Sequence, residues 1–379
     1  YIFSEITEMK EDAARRGMDL ISVAIGDPDL PTPEPILRKL HEAIEKPENH
    51  VYSPYEGTLS FRQAIADWFE ERFAASLDPR TEVLALIGSK EGVAHFPLAV
   101  CNTGDKCLIP SPGYPIFFTS VLLAGGIPVP VPHRLENGFL PDLRELGSLL
   151  ALHRPRYLLL NFPNNPTSAT CSMDFLGEIV SLAKKHQTII AFDNAYSEIY
   201  FDPKHRPISV LEIEGAKDVA IEFHSLSKTF SMTGWRIGFA VGNPRLIAGL
   251  LRVKMNIDSG PLLSVQEAGI FALRNSAMLS APIRELYASR RAVLLAGLQA
   301  LHIEYFDPKA TFFVWAKVPS GFSSMEFTRE LIAKEGLVVT PGIGFGEDGE
   351  GFFRMALTVP EKTLQETIVR LGRFLKRGV

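Results

Sequence analysis

One unit recurs along the middle of this chain and constrains its fold more than any other feature. A short, mostly apolar run ends in a polar turn, usually one bearing proline, glycine or asparagine. It occurs as TEVLALIG (81–88), DKCLIPSPGYP (105–115), RYLLLNFPNNP (156–166), TIIAFDNAYSEIYF (188–201), VAIEFHSLSK (219–228) and GFAVGN (238–243). Amphipathic segments such as EIVSLAKKHQ (178–187) lie between these runs. Short strands that are apolar throughout, separated by helices, predict a mostly parallel sheet with helices on both faces. Ligands bind such sheets at the carboxyl ends of the strands. From about residue 245 the pattern changes. LLSVQEAGIFALR (262–274) and APIRELYASRRAVLLAGLQAL (281–301) are long amphipathic helices, ATFFVWAKV (310–318) alternates like a half-exposed strand, and TLQETIVRLGRFLKRGV (363–379) reads as a closing helix. This predicts a second, smaller α+β domain. The basic pairs Arg290-Arg291 and Lys376-Arg377 read as solvated helix faces.

Composition excludes several function classes. Lys plus Arg number 39 against 44 for Asp plus Glu, a net charge of −5. That balance offers no basic footprint for nucleic acid or an anionic membrane, and no apolar run is long enough to span a bilayer. Three cysteines, Cys101, Cys107 and Cys171, make no disulfide framework and fit a reducing cytoplasm. Without CxxC spacing or a nearby His pair they do not suggest a metal site.

The chemistry concentrates in the turns. SLSKTFSMTGWRIGFAVG (225–242) places Ser225, Ser227, Lys228 and Arg236 among glycines and apolar residues. The turn GSKEG (88–92) follows a strand and opens a helix, so the amides at Ser89 and Lys90 and the helix dipole suit a phosphate. Arg236 offers a bidentate clamp and the two serines offer hydroxyls. Tyr114 stands on a proline-braced loop, Asn165 in another strand-end loop, and Asp193 and Tyr196 three apart at a third. Singly, each has a plainer reading: Tyr114 as a core aromatic, Asp193 as a turn cap, Lys228 in a solvated turn. Together they match the needs of pyridoxal phosphate. A lysine amine forms a Schiff base with its aldehyde, and a carboxylate keeps its ring nitrogen protonated so that the ring accepts electrons. An amide and a phenol hydrogen-bond its 3-oxygen, and an aromatic face fixes its plane.

In this order (Gly-Ser-Lys, Tyr, Asn-Pro, Asp-x-x-Tyr, Ser-x-Ser-Lys, Arg) the sequence resembles the aspartate aminotransferase superfamily, the fold-type-I enzymes dependent on pyridoxal phosphate. The resemblance covers essentially the whole chain. It implies a seven-stranded sheet in a large domain of residues 34–260, and a small domain from residues 1–33 and 261–379. It implies a homodimer with shared active sites, acting on amino acids and 2-oxo acids. Lys228, Asp193 and Tyr196 are the implied catalytic residues, and Ser89, Lys90, Tyr114, Asn165, Ser225, Ser227 and Arg236 the implied cofactor contacts. AIGDPDLPTP (24–33) resembles the loop whose Gly26 approaches the substrate carboxylate. YSPYEG (52–57) resembles the segment whose Tyr52 reaches the neighbouring subunit's phosphate. GFFRMALTVP (351–360) resembles the segment whose arginine, here Arg354, binds the α-carboxylate beside Asn165.

Within the superfamily, IGDPDLPTP, LALIGSKEGVAHFPLA, ENGFLPDL, NFPNNPT, AYSEI, IEFHSLSKTFSMTGWRIGFAVGN and NIDSG resemble the bacterial LL-diaminopimelate aminotransferase group. That implies transfer of an amino group between LL-2,6-diaminopimelate and 2-oxoglutarate, in lysine biosynthesis. Tyr55 and Glu56 would then meet the distal end of the substrate. Three positions depart from the pattern: Ser168 replaces the usual glycine after NNPT, and Phe230-Ser231 replace a usual Tyr-Asn. Alternatives are an aminotransferase of the alanine–glutamate type or for another amino acid, and a β-lyase. A non-catalytic sensor would lack Lys228 or carry a DNA-binding module.

Overall fold

The computed structural model describes residues 2–376. Its strands are β1 (Val83–Leu86), β2 (Lys106–Ser111), β3 (Ile127–Pro132), β4 (Tyr157–Asn161), β5 (Ile189–Asp193), β6 (Ala220–Ser225), β7 (Gly238–Gly242), β8 (Tyr305–Phe306), β9 (Phe313–Lys317), β10 (Thr340–Pro341) and β11 (Phe352–Ala356), with two further two-residue strands, Ile21–Ser22 and Leu337–Val338. The first seven form one sheet in the order β1-β7-β6-β5-β4-β2-β3. Its neighbours pair parallel except β7, which runs antiparallel to both β1 and β6.

β3 was not legible as a strand because its sequence, IPVPVP, alternates with proline. A proline donates no ladder hydrogen bond, so it is tolerated where one side of a strand has no partner. β3 is an edge strand, and Pro128, Pro130 and Pro132 recur every second residue along it.

Helices cover both faces. α1 (Ile2–Arg15), α2 (Glu34–Ile44), α3 (Leu59–Phe73), α4 (Ser89–Val100), α5 (Ile116–Leu123), α6 (Leu143–His153), α7 (Met173–His186), the single turn α8 (Leu226–Thr229), α9 (Pro244–Lys254), α10 (Leu263–Arg274), α11 (Ser276–Ala300), α12 (Ser324–Glu335) and α13 (Glu361–Lys376) complete the chain. The period-2 alternation of each strand divides its apolar residues between two cores. Leu158, Leu160, Ile190 and Phe192 face α3, α6 and α7, whereas Leu159, Ala191, Ile221 and Phe223 face α4, α5 and α9. α10 packs Val265, Ala268 and Leu273 into the first of these cores.

A separate core lies beyond α11. There β8–β11 form an antiparallel sheet in the order β10-β11-β9-β8. The segment Ile21–Ser22 pairs parallel with Leu337–Val338, which ties the N-terminal stretch to this part of the molecule. The strand expected to be half exposed is buried on both sides at Phe313, Val314, Trp315 and Ala316. Trp315 belongs to the large core and stacks on Phe352, with ring centroids 5.5 Å apart, while its neighbours fill the second core. The strand thus lies between two apolar bodies.

Arg290 also departs from expectation. Far from being a solvated face, it is 4% exposed and donates from Nη1 and Nη2 to both carboxylate oxygens of Asp29, at 2.7 and 2.8 Å. Its helix thereby anchors the loop that carries Gly26. Arg291 is more open and pairs with Asp307. Lys376 is exposed, and Arg377 lies outside the described residues.

Candidate active site

Parallel strands deliver their carboxyl ends to one edge, and the register aligns them. Asn161 pairs with Asp193 across β4 and β5, and Asp193 with Phe223 across β5 and β6. Just beyond this edge, between the sheet and the second core, lies a cavity of about 430 Å³. Of the residues the sequence singled out, Gly26, Ser89, Lys90, Tyr114, Asn165 and Asp193 line it, together with Tyr196, Ser225, Ser227, Lys228, Arg236 and Arg354.

One end of the cavity is built for an anion. β1 turns into α4 at Gly88, whose φ is +96°, and a Cβ there would lie 2.5 Å from Arg236 Nη2. Both the left-handed backbone and the close guanidinium exclude a side chain. The first-turn amides of α4 and the Arg236 guanidinium therefore converge on one spot. Arg236 holds its own place by donating from Nη1 to Thr233 O at 2.7 Å. The Ser225 hydroxyl accepts from Ser227 N–H at 3.2 Å, which starts the α8 turn and carries Lys228 into the cavity.

At the floor, Asp193 is 8% exposed. Asn161 Nδ2 donates to the Asp193 backbone oxygen at 2.9 Å, and Asp193 Oδ1 has no hydrogen-bond partner among the described residues. Burial lifts this carboxyl from 3.8 to about 7, against the opposing bond from Ala195 N–H. Lys228 Nζ donates to Gly26 O at 3.3 Å. Burial lowers its ammonium to about 8; the Asp27 charge opposes this, and the cations Arg236 and Arg354 add to it. Burial also pushes the Tyr196 phenol well up.

Arg354 closes the far end. It is 6% exposed, donates from Nη1 to Asn165 Oδ1 at 2.6 Å and from Nη2 to Ala24 O at 2.7 Å, and lies 4.1 Å from the centre of the Phe313 ring. Its Nε has no partner among the described residues, and burial lowers the guanidinium to about 10. A planar fork in so dry a place suits a carboxylate.

Three expected residues lie outside this cavity. Tyr52 is 88% exposed and Tyr55 39% exposed, and Glu56 faces Arg62 across 3.8 Å. Other residues belong to the site without having been read from the sequence. Asn161 ends its apolar strand as Asp193 does, so the same strand-end logic reaches it. Phe313 and the α1 residues Ile6, Thr7 and Lys10 also line the cavity, and nothing local in the sequence marks them. Ser168, the departure from the usual glycine, keeps a left-handed backbone with φ +65°. Its hydroxyl contacts Thr311 Oγ1 at 2.6 Å and donates to Phe313 O at 2.8 Å, so the substitution adds a link to the second sheet.

The chain matches the family model described as aminotransferase class I and II over residues 18–371. LL-diaminopimelate aminotransferase from Maridesulfovibrio salexigens is 50% identical over 374 residues, covering 99% of this chain and 96% of that protein. The enzyme of the same name from Aquifex aeolicus is 49% identical, covering 98% and 95%. Among solved structures, a probable N-succinyldiaminopimelate aminotransferase from Thermus thermophilus superposes with a TM-score of 0.93 at 35% identity, covering 99% of this chain and 100% of that one. A single mutant of Thermus thermophilus aspartate aminotransferase gives 0.93 at 27% identity, covering 99% and 96%.

Proposed function

The chain belongs to the class I and II aminotransferases, and from that premise we propose that it moves an amino group between LL-2,6-diaminopimelate and 2-oxoglutarate, with pyridoxal phosphate as cofactor. The substrate rests on one observation, the 50% identity across 99% of the chain to an LL-diaminopimelate aminotransferase. The cavity fits the cofactor: an unpartnered buried carboxylate oxygen at Asp193 suits a protonated ring nitrogen, and the Gly88–Arg236 cradle suits a phosphate. When bound, pyridoxal phosphate supplies an aldehyde that links to an amine and a ring that withdraws electrons from the carbon losing its proton.

The chain's own groups do the rest. Lys228 would hold the cofactor until an amino acid takes its place, and its freed amine would then carry the proton lost from the substrate Cα. An ammonium lowered to about 8 yields a usable fraction of free base near neutral pH. Asp193 keeps the ring nitrogen protonated. Asn165 spends its oxygen on Arg354, which leaves its amide N–H groups for the ring's 3-oxygen beside the Tyr196 phenol. Tyr114 would cover the ring, and Ser89, Lys90, Ser225, Ser227 and Arg236 would bind the phosphate. Arg354 with the Gly26 backbone orients the α-carboxylate.

The enzyme works as a homodimer in the cytoplasm, an assignment supported by exposed Tyr52 and by three free cysteines. Tyr52 reaches the partner's phosphate, and Tyr55 and Glu56 the distal end of the partner's substrate. Residues 34–260 act as the cofactor-holding unit, and residues 1–33 with 261–379 as the unit that carries Arg354. Among the described residues no helix is long and apolar enough to cross a membrane.

The test is amino transfer to 2-oxoglutarate from a panel of donors. LL-diaminopimelate should be the strongest donor, and Glu56→Gln should impair it more than glutamate, because it removes the anion facing the distal ammonium. A far better rate with alanine or an aromatic donor would refute the substrate while leaving the family intact.

A further inference from the structure

Two of the three free cysteines meet at a place that the aminotransferase chemistry does not use. Cys101 follows the last residue of α4, and its N–H closes that helix by donating to Pro97 O at 2.8 Å. The chain then reverses over residues 102–105. Asn102 N–H donates to Asp105 Oδ2 at 2.8 Å, Asp105 N–H donates to Asn102 O at 3.0 Å, and Gly104 takes a left-handed φ of +86°. β2 starts at Lys106, so this reversal lays Cys107 against Cys101, with their sulfurs 3.4 Å apart. A disulfide bond is about 2.05 Å long, so closing one asks for a small movement only. β2 runs parallel to β4 and the cavity lies at the carboxyl ends of the strands, which puts the cysteine pair at the opposite edge of the sheet.

The two thiols are not equivalent. Cys107 is fully buried among Phe96, Val121 and Tyr157, whereas Cys101 packs against that core and is half-buried. Arg156 donates from Nε to Val100 O at 2.6 Å, which brings its cation close to Cys101. The hydrogen bond from the Cys107 thiol lowers the Cys101 thiol below its usual value, and the Arg156 charge adds to this against burial and Asp105. The same contact and burial push Cys107 up. Cys171 packs against the core on the other face of the sheet, where burial pushes its thiol up to about 12. Cys101 is therefore the first of the three to become a thiolate, the form that reacts with oxidants.

We propose that Cys101 and Cys107 form a reversible oxidation site, at which hydrogen peroxide converts Cys101 to a sulfenic acid and Cys107 closes it into a disulfide. In the first step the Cys101 sulfur attacks one peroxide oxygen, the O–O bond breaks, and hydroxide leaves to take up the proton that Cys101 has shed. In the second the Cys107 sulfur attacks the Cys101 sulfur, the S–O bond breaks, and water leaves with the Cys107 proton. Two thiols thus lose two electrons, and one peroxide becomes two waters. The half-exposed thiol meets the oxidant, and the buried one stops its oxidation at a stage that a thiol reductant reverses. This site lies apart from the aminotransferase reading and stands without it.

The test treats the holoenzyme with a small excess of hydrogen peroxide and removes the excess before unfolding. The parent should lose two hydrogens in mass, and the thiols titrated in denaturant should fall from three to one. A peptide map should join Cys101 to Cys107, and dithiothreitol should restore both. In Cys107→Ser and in Cys107→Ala the Cys101 sulfur should instead gain oxygen and pass to the sulfinic acid, which dithiothreitol does not reverse. Cys101→Ser should keep Cys107 reduced under the same treatment. If neither Cys107 variant folds, the parent's mass and map still decide. A parent that keeps all three thiols would overturn the proposal. So would oxygen gained at Cys101 without a disulfide, or a disulfide that involves Cys171 or joins two chains.

Discussion

Asp193→Asn should make the cofactor-free protein more stable and the enzyme inactive. The carboxyl is 8% exposed, one of its oxygens has no partner among the described residues, and burial lifts it from 3.8 to about 7. The folded chain therefore holds this proton more tightly than the unfolded chain. Below about pH 4 both states are protonated and nothing is lost. Between about pH 4 and 7 only the unfolded chain ionises, so stability falls as pH rises, and above 7 the loss is constant. A gap of about three pH units, at 1.36 kcal/mol each, amounts to roughly 4 kcal/mol. Asparagine has the same shape and no charge to bury, so it escapes this loss. In thermal melts of cofactor-free protein the advantage of Asp193→Asn should widen by about 2–3 kcal/mol between about pH 5 and pH 8. The same variant should bind pyridoxal phosphate more weakly and lose transamination by orders of magnitude, because a neutral amide cannot hold the ring nitrogen protonated. Parallel pH profiles for variant and parent would refute the burial argument. Normal turnover would refute the electron-sink role.

Lys228→Ala should retain the cofactor poorly and abolish transfer, and borohydride should fix the cofactor to Lys228 in the parent; a peptide map placing it on Lys90 or Lys254 would show the wrong lysine had been chosen. Arg354→Ala should raise KM for both amino acid and oxo acid while leaving the cofactor spectrum intact, since its buried Nε has no partner among the described residues and the side chain lines the cavity; loss of cofactor instead would mean that Arg354 serves the phosphate. Mixing inactive Tyr52→Phe and Lys228→Ala subunits should recover activity through one intact site per mixed dimer, and no recovery would place Tyr52 in its own subunit's site.

Local physics made much of the sheet and the cofactor end of the site legible. Unbroken apolar runs such as Leu158–Leu160 and Ile190–Phe192, each ending in a polar turn, fit strands buried on both faces, and a parallel sheet must bring their polar ends together. Asp193, Ser225 and Lys228 follow from that logic, as does the Gly88 turn, because a strand entering a helix exposes amides wherever it occurs. Even Asn161 obeyed the rule and needed only its consistent use. The substrate end followed no such rule. Phe313 and Trp315 alternate as a half-exposed strand would, yet two cores enclose them. Arg290 has the local pattern of a solvated helix, yet its partner Asp29 lies 261 residues away in sequence. α1 borders the cavity because Ile6 meets Ala24 and Val338 in one cluster, and Ile21–Ser22 pairs with Leu337–Val338. Contacts of that kind depend on how separate elements pack, and no window of sequence contains both partners. The sequence by itself determined which chemistry the chain can hold. Packing decided which charges face the substrate, because burial and pairing are properties of assembled surfaces.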